Sequence, residues 1–160
     1  MEFAEFFRRE QASLVRMCWL LTLDDQAAAD VAQEAMARAW SSWGRLAAEG
    51  ENPAGWVRTV AANLARSRWR KLRREAAVLS RLGDRTSRQQ LADPALEVAL
   101  GKLAPRQREA VVLRYWADLP VAGCAEVMGV SPGSVKQHLA RAHRRLADLV
   151  EPSMLQGLEL

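Results

Sequence analysis

Apolar residues recur at three- and four-residue intervals along most of the chain, the spacing of helices with one buried face. Phe3, Phe6, Phe7, Leu14, Met17, Cys18 and Leu21 predict a helix over residues 2–21. Asp24 or Asp25 can cap a second helix that runs to about Trp40, with Ala28, Val31, Ala32, Ala35 and Met36 facing inward. The stretch "SSWGRLAAEGEN", residues 41–52, holds two glycines and reads as a loop. Asn52 then supplies a capping amide, and Pro53 occupies the first position of a third helix. Periodicity fades over 76–92, which reads as a linker with room for one short helix. Asp93-Pro94 restarts helical structure, and Pro105 begins a helix ending near Tyr115-Trp116. "VAGCAEVM", residues 121–128, is a short helix stopped by Gly129. Ser131-Pro132 caps the last long helix, which Pro152 is expected to end. No strand pattern competes and no repeat is visible. The expected fold is all-α: a helical bundle over 1–75 and a helix-turn-helix domain over 93–151, joined by the 76–92 linker, with a tail over 152–160.

Composition narrows the class. The chain has 160 residues, 49% of them hydrophobic, enough for one modest core or two small ones. No apolar run is long enough to span a bilayer, and "MEFAEFFRRE" is charged and amphipathic, unlike a signal peptide. A soluble cytoplasmic protein without membrane contact is therefore expected. Cys18 and Cys124 lie far apart in apolar helical contexts and read as buried thiols. No metal-ligand spacing or cofactor motif is present. Net charge is +4 but unevenly spread: residues 1–65 carry nine acids against six bases, residues 66–160 ten acids against seventeen bases. An acidic front and a basic rear suggest two kinds of partner.

The third helix concentrates the chemistry. Arg66, Arg68, Arg70, Lys71, Arg73 and Arg74 fall within nine residues, in a segment that also holds Trp56 and Trp69. At 100° per residue, Thr59, Asn63, Arg66, Arg70, Arg73 and Arg74 share one stripe, and Val57, Val60, Ala61, Leu64 and Ala65 lie on the core side. Arg68 and Lys71 intrude on the apolar side, so the helix is expected to leave its core after Leu64. Cations hold phosphates and aromatic faces stack on unpaired bases, which suits partly melted DNA. A solvated basic helix end whose tryptophans edge the core fits this stretch equally.

The rear of the chain has the layout of a helix-turn-helix. In the last helix Val135, Leu139, Ala142, Leu146 and Leu149 form an apolar stripe, with Ser134, Gln137, Arg141 and Arg144 opposite and Lys136 on a flank. Lys136, Gln137 and Arg141 are placed to read base edges in a major groove. Arg144 and Arg145 lie farther along and suit phosphates. An ordinary helical hairpin with a cationic outer side is the alternative. Near the front, Asp30, Gln33, Glu34 and Ala37 share one face of the second helix, either a solvated surface or a patch that docks on a basic partner.

Taken in order, "DVAQEAMARAW", "NPAGWVRTVAANLARSRWRK", "LAPRQREAVVLRYW" and "CAEVMGVSPGSVKQHLARAHRRL" resemble segments of bacterial sigma factors of the extracytoplasmic-function type. "FAEFFRREQASLVRMCWLLTLD" resembles their actinobacterial branch. The resemblance implies that Asp30, Gln33 and Glu34 bind RNA polymerase core enzyme. It implies that loop 41–52 with Trp56, Thr59, Asn63, Arg66, Arg68, Trp69, Arg70 and Lys71 opens the minus-ten promoter element and captures the melted non-template strand. It further implies that Ser134, Lys136, Gln137, Arg141, Arg144 and Arg145 hold duplex DNA at the minus-thirty-five element, and that an anti-sigma factor is a candidate partner. The chain departs from the family pattern at Ala29, Gly123, Cys124 and His138, and its linker carries Arg81, Arg85 and Arg88 where many relatives are acidic. Two other readings stand beside this one: a stand-alone helix-turn-helix regulator, and a sigma-like interaction module without initiation activity. An enzyme is not expected, because no nucleophile–base arrangement, metal-spaced carboxylate set or phosphate-binding glycine loop is present.

Overall fold

The computed structural model describes residues 1–48, 51–76 and 94–150. These residues form helices α1 (Phe3–Thr22), α2 (Asp25–Ser41), α3 (Trp43–Leu46), α4 (Pro53–Ala76), α5 (Pro94–Gly101), α6 (Pro105–Tyr115), α7 (Val121–Met128) and α8 (Pro132–Ala147), with no strand among them. The all-α expectation is met. The chain divides into two compact units, Met1–Gln89 and Gln90–Leu160.

In the first unit, α1, α2 and α4 pack against one another. Large side chains on α1 meet small ones on its partners. Phe6, Leu14, Met17, Cys18 and Leu20 are buried on α1, Ala28, Ala32, Ala35 and Ala39 on α2, and Ala61, Ala62 and Ala65 on α4. The alanines let the helix axes approach, and each large apolar side chain removed from water contributes about 1.5–3 kcal/mol. The caps lie where the sequence places them. Asp24 accepts a hydrogen bond from the Ala27 N–H at 2.6 Å, and Asn52 accepts one from the Gly55 N–H at 2.9 Å. Cys18 is fully buried, and burial pushes its thiol up to about 12.

Two expectations for this unit need correction. Residues 41–52 are not all loop, because Trp43–Leu46 make one helical turn. Leu46 is fully buried and the Trp43 ring lies 4.9 Å from Phe6 and 5.2 Å from Phe3. A single turn that contains Gly44 is too short to show periodicity, and the ring contacts of Trp43 with the burial of Leu46 hold it. Nor does α4 leave its core after Leu64. Ala65 is buried, while Val60 and Leu64, expected inside, are only half-buried. The packing stripe runs through Val57, Ala61 and Ala65 to Arg68, which reaches α2 through an ion pair instead of apolar contact.

In the second unit, α6 and α7 pack on α8. Val111, Val112, Leu113, Cys124, Met128, Val135, Leu139, Ala142 and Leu146 form its core. The α7–α8 turn is a Schellman motif. Gly129 adopts φ 65°, its N–H reaches the Glu126 carbonyl at 3.3 Å, and the Val130 N–H reaches the Ala125 carbonyl at 3.1 Å. Ser131 then caps α8 by accepting from the Ser134 N–H at 3.1 Å. The last helix ends at Ala147, not at Pro152 as expected. The Leu149 and Val150 N–H groups both turn back to the Leu146 carbonyl at 3.0 Å, closing the helix before the proline. Residues 77–92 of the expected 76–92 linker, Asp93 and the expected tail 152–160, with Pro152, lie outside the described residues.

The left-handed conformation at Gly129 yields a stability prediction. No atom stands within 4 Å of an added Cβ there, so only backbone strain opposes substitution. Gly129→Ala is expected to cost about 1 kcal/mol in urea unfolding. Gly129→Asn is expected to cost less, because asparagine tolerates this region.

Candidate functional site

The outward face of α2 carries Asp30, Gln33 and Glu34. Gln33 and Glu34 are exposed and Asp30 is half-exposed. Glu34 accepts from Arg38 at 2.8 Å, an i,i+4 pair in open solvent. Asp30 is held more firmly. Its Oδ2 accepts from Arg68 Nη2 at 2.7 Å and its Oδ1 from Gln26 Nε2 at 2.9 Å. The Arg68 hydrogen bond, with a smaller one from Gln26, holds the Asp30 carboxyl below its ordinary range. The structure thus joins one residue of the α2 patch to one residue of the α4 basic segment. Sequence spacing could not show this pairing, because 38 residues separate the partners.

Along α4, Asn63, Arg70 and Lys71 are exposed, and Trp56, Thr59, Arg66 and Trp69 are half-buried. The Arg45 guanidinium lies 5.9 Å from the centre of the Trp56 ring. Arg45 comes from α3, so the turn missed in the sequence brings a cation to the leading tryptophan of the basic helix. A half-exposed indole beside a guanidinium offers a stacking face and a phosphate donor at one place. Next to the α3 turn, Phe3 contacts Trp40 at 5.0 Å, and Trp40 itself remains 64% exposed.

On α8, burial of Val135, Leu139, Ala142 and Leu146 turns Lys136, Gln137, Arg141, Arg144 and Arg145 to solvent. Among the described residues none of these four cations forms an ion pair. Ser134 is half-buried and committed to the cap: its hydroxyl lies 3.0 Å from that of Ser131. The two histidines of this helix differ from their neighbours. His143 faces the core, with Nε2 3.1 Å from the Tyr115 hydroxyl and a buried Nδ1 that has no partner among the described residues. Burial lowers its pKa. His138 is half-buried, and desolvation followed by the nearby Arg106 and Arg141 charges lowers its pKa as well. The sequence also concealed Arg108 and Glu109, which are buried on α6; Glu109 accepts from Arg106 at 2.8 Å.

Among the described residues no helix is long and apolar enough to cross a membrane. Two exposed basic surfaces, one beside tryptophans and one on the second helix of a helix-turn-helix, occur in one chain. Family models agree with that division: sigma-70 region 2 matches residues 6–75 and sigma-70 region 4 matches residues 94–146. The chain belongs to the extracytoplasmic-function sigma factors of RNA polymerase. It is 35% identical to the RNA polymerase sigma-E factor of Streptomyces avermitilis over all of this chain and 91% of that one. It is 30% identical to the ECF RNA polymerase sigma factor SigM of Mycobacterium tuberculosis, over 92% of this chain and 76% of that one. These relatives place it in the actinobacterial type. The fold is shared with the sigma factor RpoE of Bartonella quintana, solved in complex with the anti-sigma factor NepR. That likeness has a TM-score of 0.75 at 24% identity and covers 92% of this chain and 95% of that one. This sigma factor is therefore a transcription initiation factor. A match spanning both helical units does not favour a stand-alone helix-turn-helix regulator or an interaction module without initiation activity.

Two measurements check the electrostatics. Arg68→Ala should raise the Asp30 carboxyl titration toward the ordinary range in a carboxyl-detected NMR experiment, and Gln26→Ala should raise it less. For the second unit, both histidines are depressed in the folded state, so below about pH 6.5 the unfolded chain binds more protons than the folded one. Its stability should be flat above that pH and fall as the pH drops through the lowered folded values. His143→Gln, which can keep a hydrogen bond to Tyr115, should remove part of that slope in unfolding curves recorded from pH 7 to 5.

Proposed function

We propose that the three exposed surfaces divide the work of initiation. The α2 face of Asp30, Gln33 and Glu34 docks on the core enzyme. The α3–α4 surface opens the minus-ten element: Trp56 and Trp69 take unpaired bases, Thr59 and Asn63 hydrogen-bond them, and Arg66, Arg68, Arg70 and Lys71 follow the phosphates of the non-template strand. The exposed face of α8 lies in the major groove of the minus-thirty-five element. Lys136 and Gln137 read base edges there, together with Arg141. Arg144 and Arg145 hold the backbone, and Ser134 contributes its cap geometry.

The observation that supports this reading best is the row of cations on α8, without ion pairs among the described residues, opposite a buried apolar stripe. A helix anchored on one side and unneutralised on the other is suited to a polyanion. The same reading assigns residues 1–75 to core and minus-ten binding, 76–92 to the linker, 93–151 to minus-thirty-five binding and 152–160 to a tail. It places the protein in the cytoplasm, where polymerase and promoter are, and gives it no enzymatic activity of its own. An anti-sigma factor belongs to it as a further partner. The fold shared with RpoE, solved with NepR, supports extending that class of partner to this chain.

Run-off transcription with purified core polymerase tests the reading. The wild-type chain should direct initiation from a discrete start site. Glu34→Arg should weaken core association by an order of magnitude in a pull-down titration without unfolding the domain, since Glu34 is exposed. Trp56→Ala should leave core association intact but slow strand opening by about tenfold or more, as expected for losing one base-stacking contact of about 1–3 kcal/mol. Unchanged opening would remove Trp56 from its assigned role.

A further inference from the structure

The promoter-binding reading uses the exposed face of α8 but leaves the neighbouring α5–α6 turn without a role. Lys102 in that turn and Gln107 in the first turn of α6 line one open cavity of about 430 Å³ together with Arg141, Arg144, Arg145 and Asp148. Four cations and a single carboxylate share this space. All four are exposed, and none forms an ion pair among the described residues. Like charges gathered around a concave surface repel one another and focus the field into it, and a bound anion relieves that cost.

The cavity is continuous with the reading surface. At 100° per residue, Ser134, Gln137, Arg141, Arg144 and Arg145 of α8 and its C-cap Asp148 fall within one stripe about 100° wide. Arg141 belongs to both regions. A duplex whose bases meet the N-terminal half of α8 therefore has its flanking backbone led toward Lys102 and Gln107. We propose that this cavity is a backbone clamp for promoter DNA, in which Lys102 neutralises a phosphate and the Gln107 amide donates to one of its oxygens. The clamp carries no base information; it sets register and orientation for the readers. Asp148, which also lines it, weakens it. An acidic protein segment would satisfy the same charges, but continuity with the reading stripe favours DNA. The inference rests on the promoter-binding reading above.

The test uses holoenzyme assembled from core polymerase and full-length chain, bound to a duplex promoter and to a shuffled duplex across a salt series. Lys102→Gln should weaken binding to both duplexes by the same factor, roughly three- to tenfold at low salt. It should also shallow the slope of log affinity against log salt by about 0.9, the loss of one phosphate contact. Asp148→Asn should strengthen binding to both. Gln137→Ala, a reader, should reduce discrimination between the two duplexes instead. If Lys102→Gln and Asp148→Asn leave affinity and slope unchanged while Gln137→Ala still lowers discrimination, the clamp is wrong and the promoter-binding reading stands. If Lys102→Gln weakens association with core and not with DNA, the occupant is an acidic protein surface and the clamp is equally overturned. If Gln137→Ala and Arg141→Ala also leave both duplexes unaffected, the promoter-binding reading of α8 itself fails.

Discussion

A helix has one orientation in which Val135, Leu139, Ala142 and Leu146 are all buried, and that orientation exposes Lys136, Gln137, Arg141, Arg144 and Arg145. The rest of the molecule follows from the same constraint. Apolar burial is non-directional in energy, but on a helix it fixes rotation about the axis and therefore the direction of every charge. In α4 the stripe of Val57, Ala61, Ala62 and Ala65 does this for Asn63, Arg70 and Lys71. In α2 the buried alanines do it for Gln33 and Glu34. The surfaces proposed for core enzyme and promoter are thus by-products of packing, held in place by buried residues.

Close packing also explains the Arg68–Asp30 contact, which joins two of those surfaces. Alanines at the α2–α4 contact bring the helices near enough for Arg68 to reach Asp30 at 2.7 Å. Both partners are partly exposed, so the pair is screened by solvent and easily exchanged for other contacts. The proposed roles of Asp30 toward a docking protein and of Arg68 toward a phosphate are compatible with the fold, because buried Val57, Ala61 and Ala65 keep α4 in place. Glu10 and Arg58 make a second interhelical pair, at 3.1 Å between α1 and α4, and their lower exposure suits a structural role.

Three of the positions expected to depart from the family pattern, Cys124, Gly123 and Ala29, fall where the structure tolerates them. Cys124 is fully buried and its thiol approaches the Leu119 carbonyl at 3.6 Å. A Cβ on Gly123 would meet Pro120 and Leu119 at 3.4 and 3.6 Å, close to ordinary contact, so the glycine weakens α7 without being required by space. Ala29 is exposed on α2, beside the candidate docking face.

The sequence by itself determined the helical class, most helix boundaries and the identity of the outward faces. Those depend on local signals: three-to-four periodicity, the Asp24, Asn52 and Ser131 caps, and the Gly129 stop. Only tertiary structure decided the rest. The α3 turn exists because Trp43 finds Phe3 and Phe6 to cover and Leu46 is buried, Arg68 is paired because α2 lies alongside, and His143 looks inward because Tyr115 is there to meet it. Each is a contact between residues distant in sequence, and a periodic pattern records which side of a helix is buried but not what it is buried against.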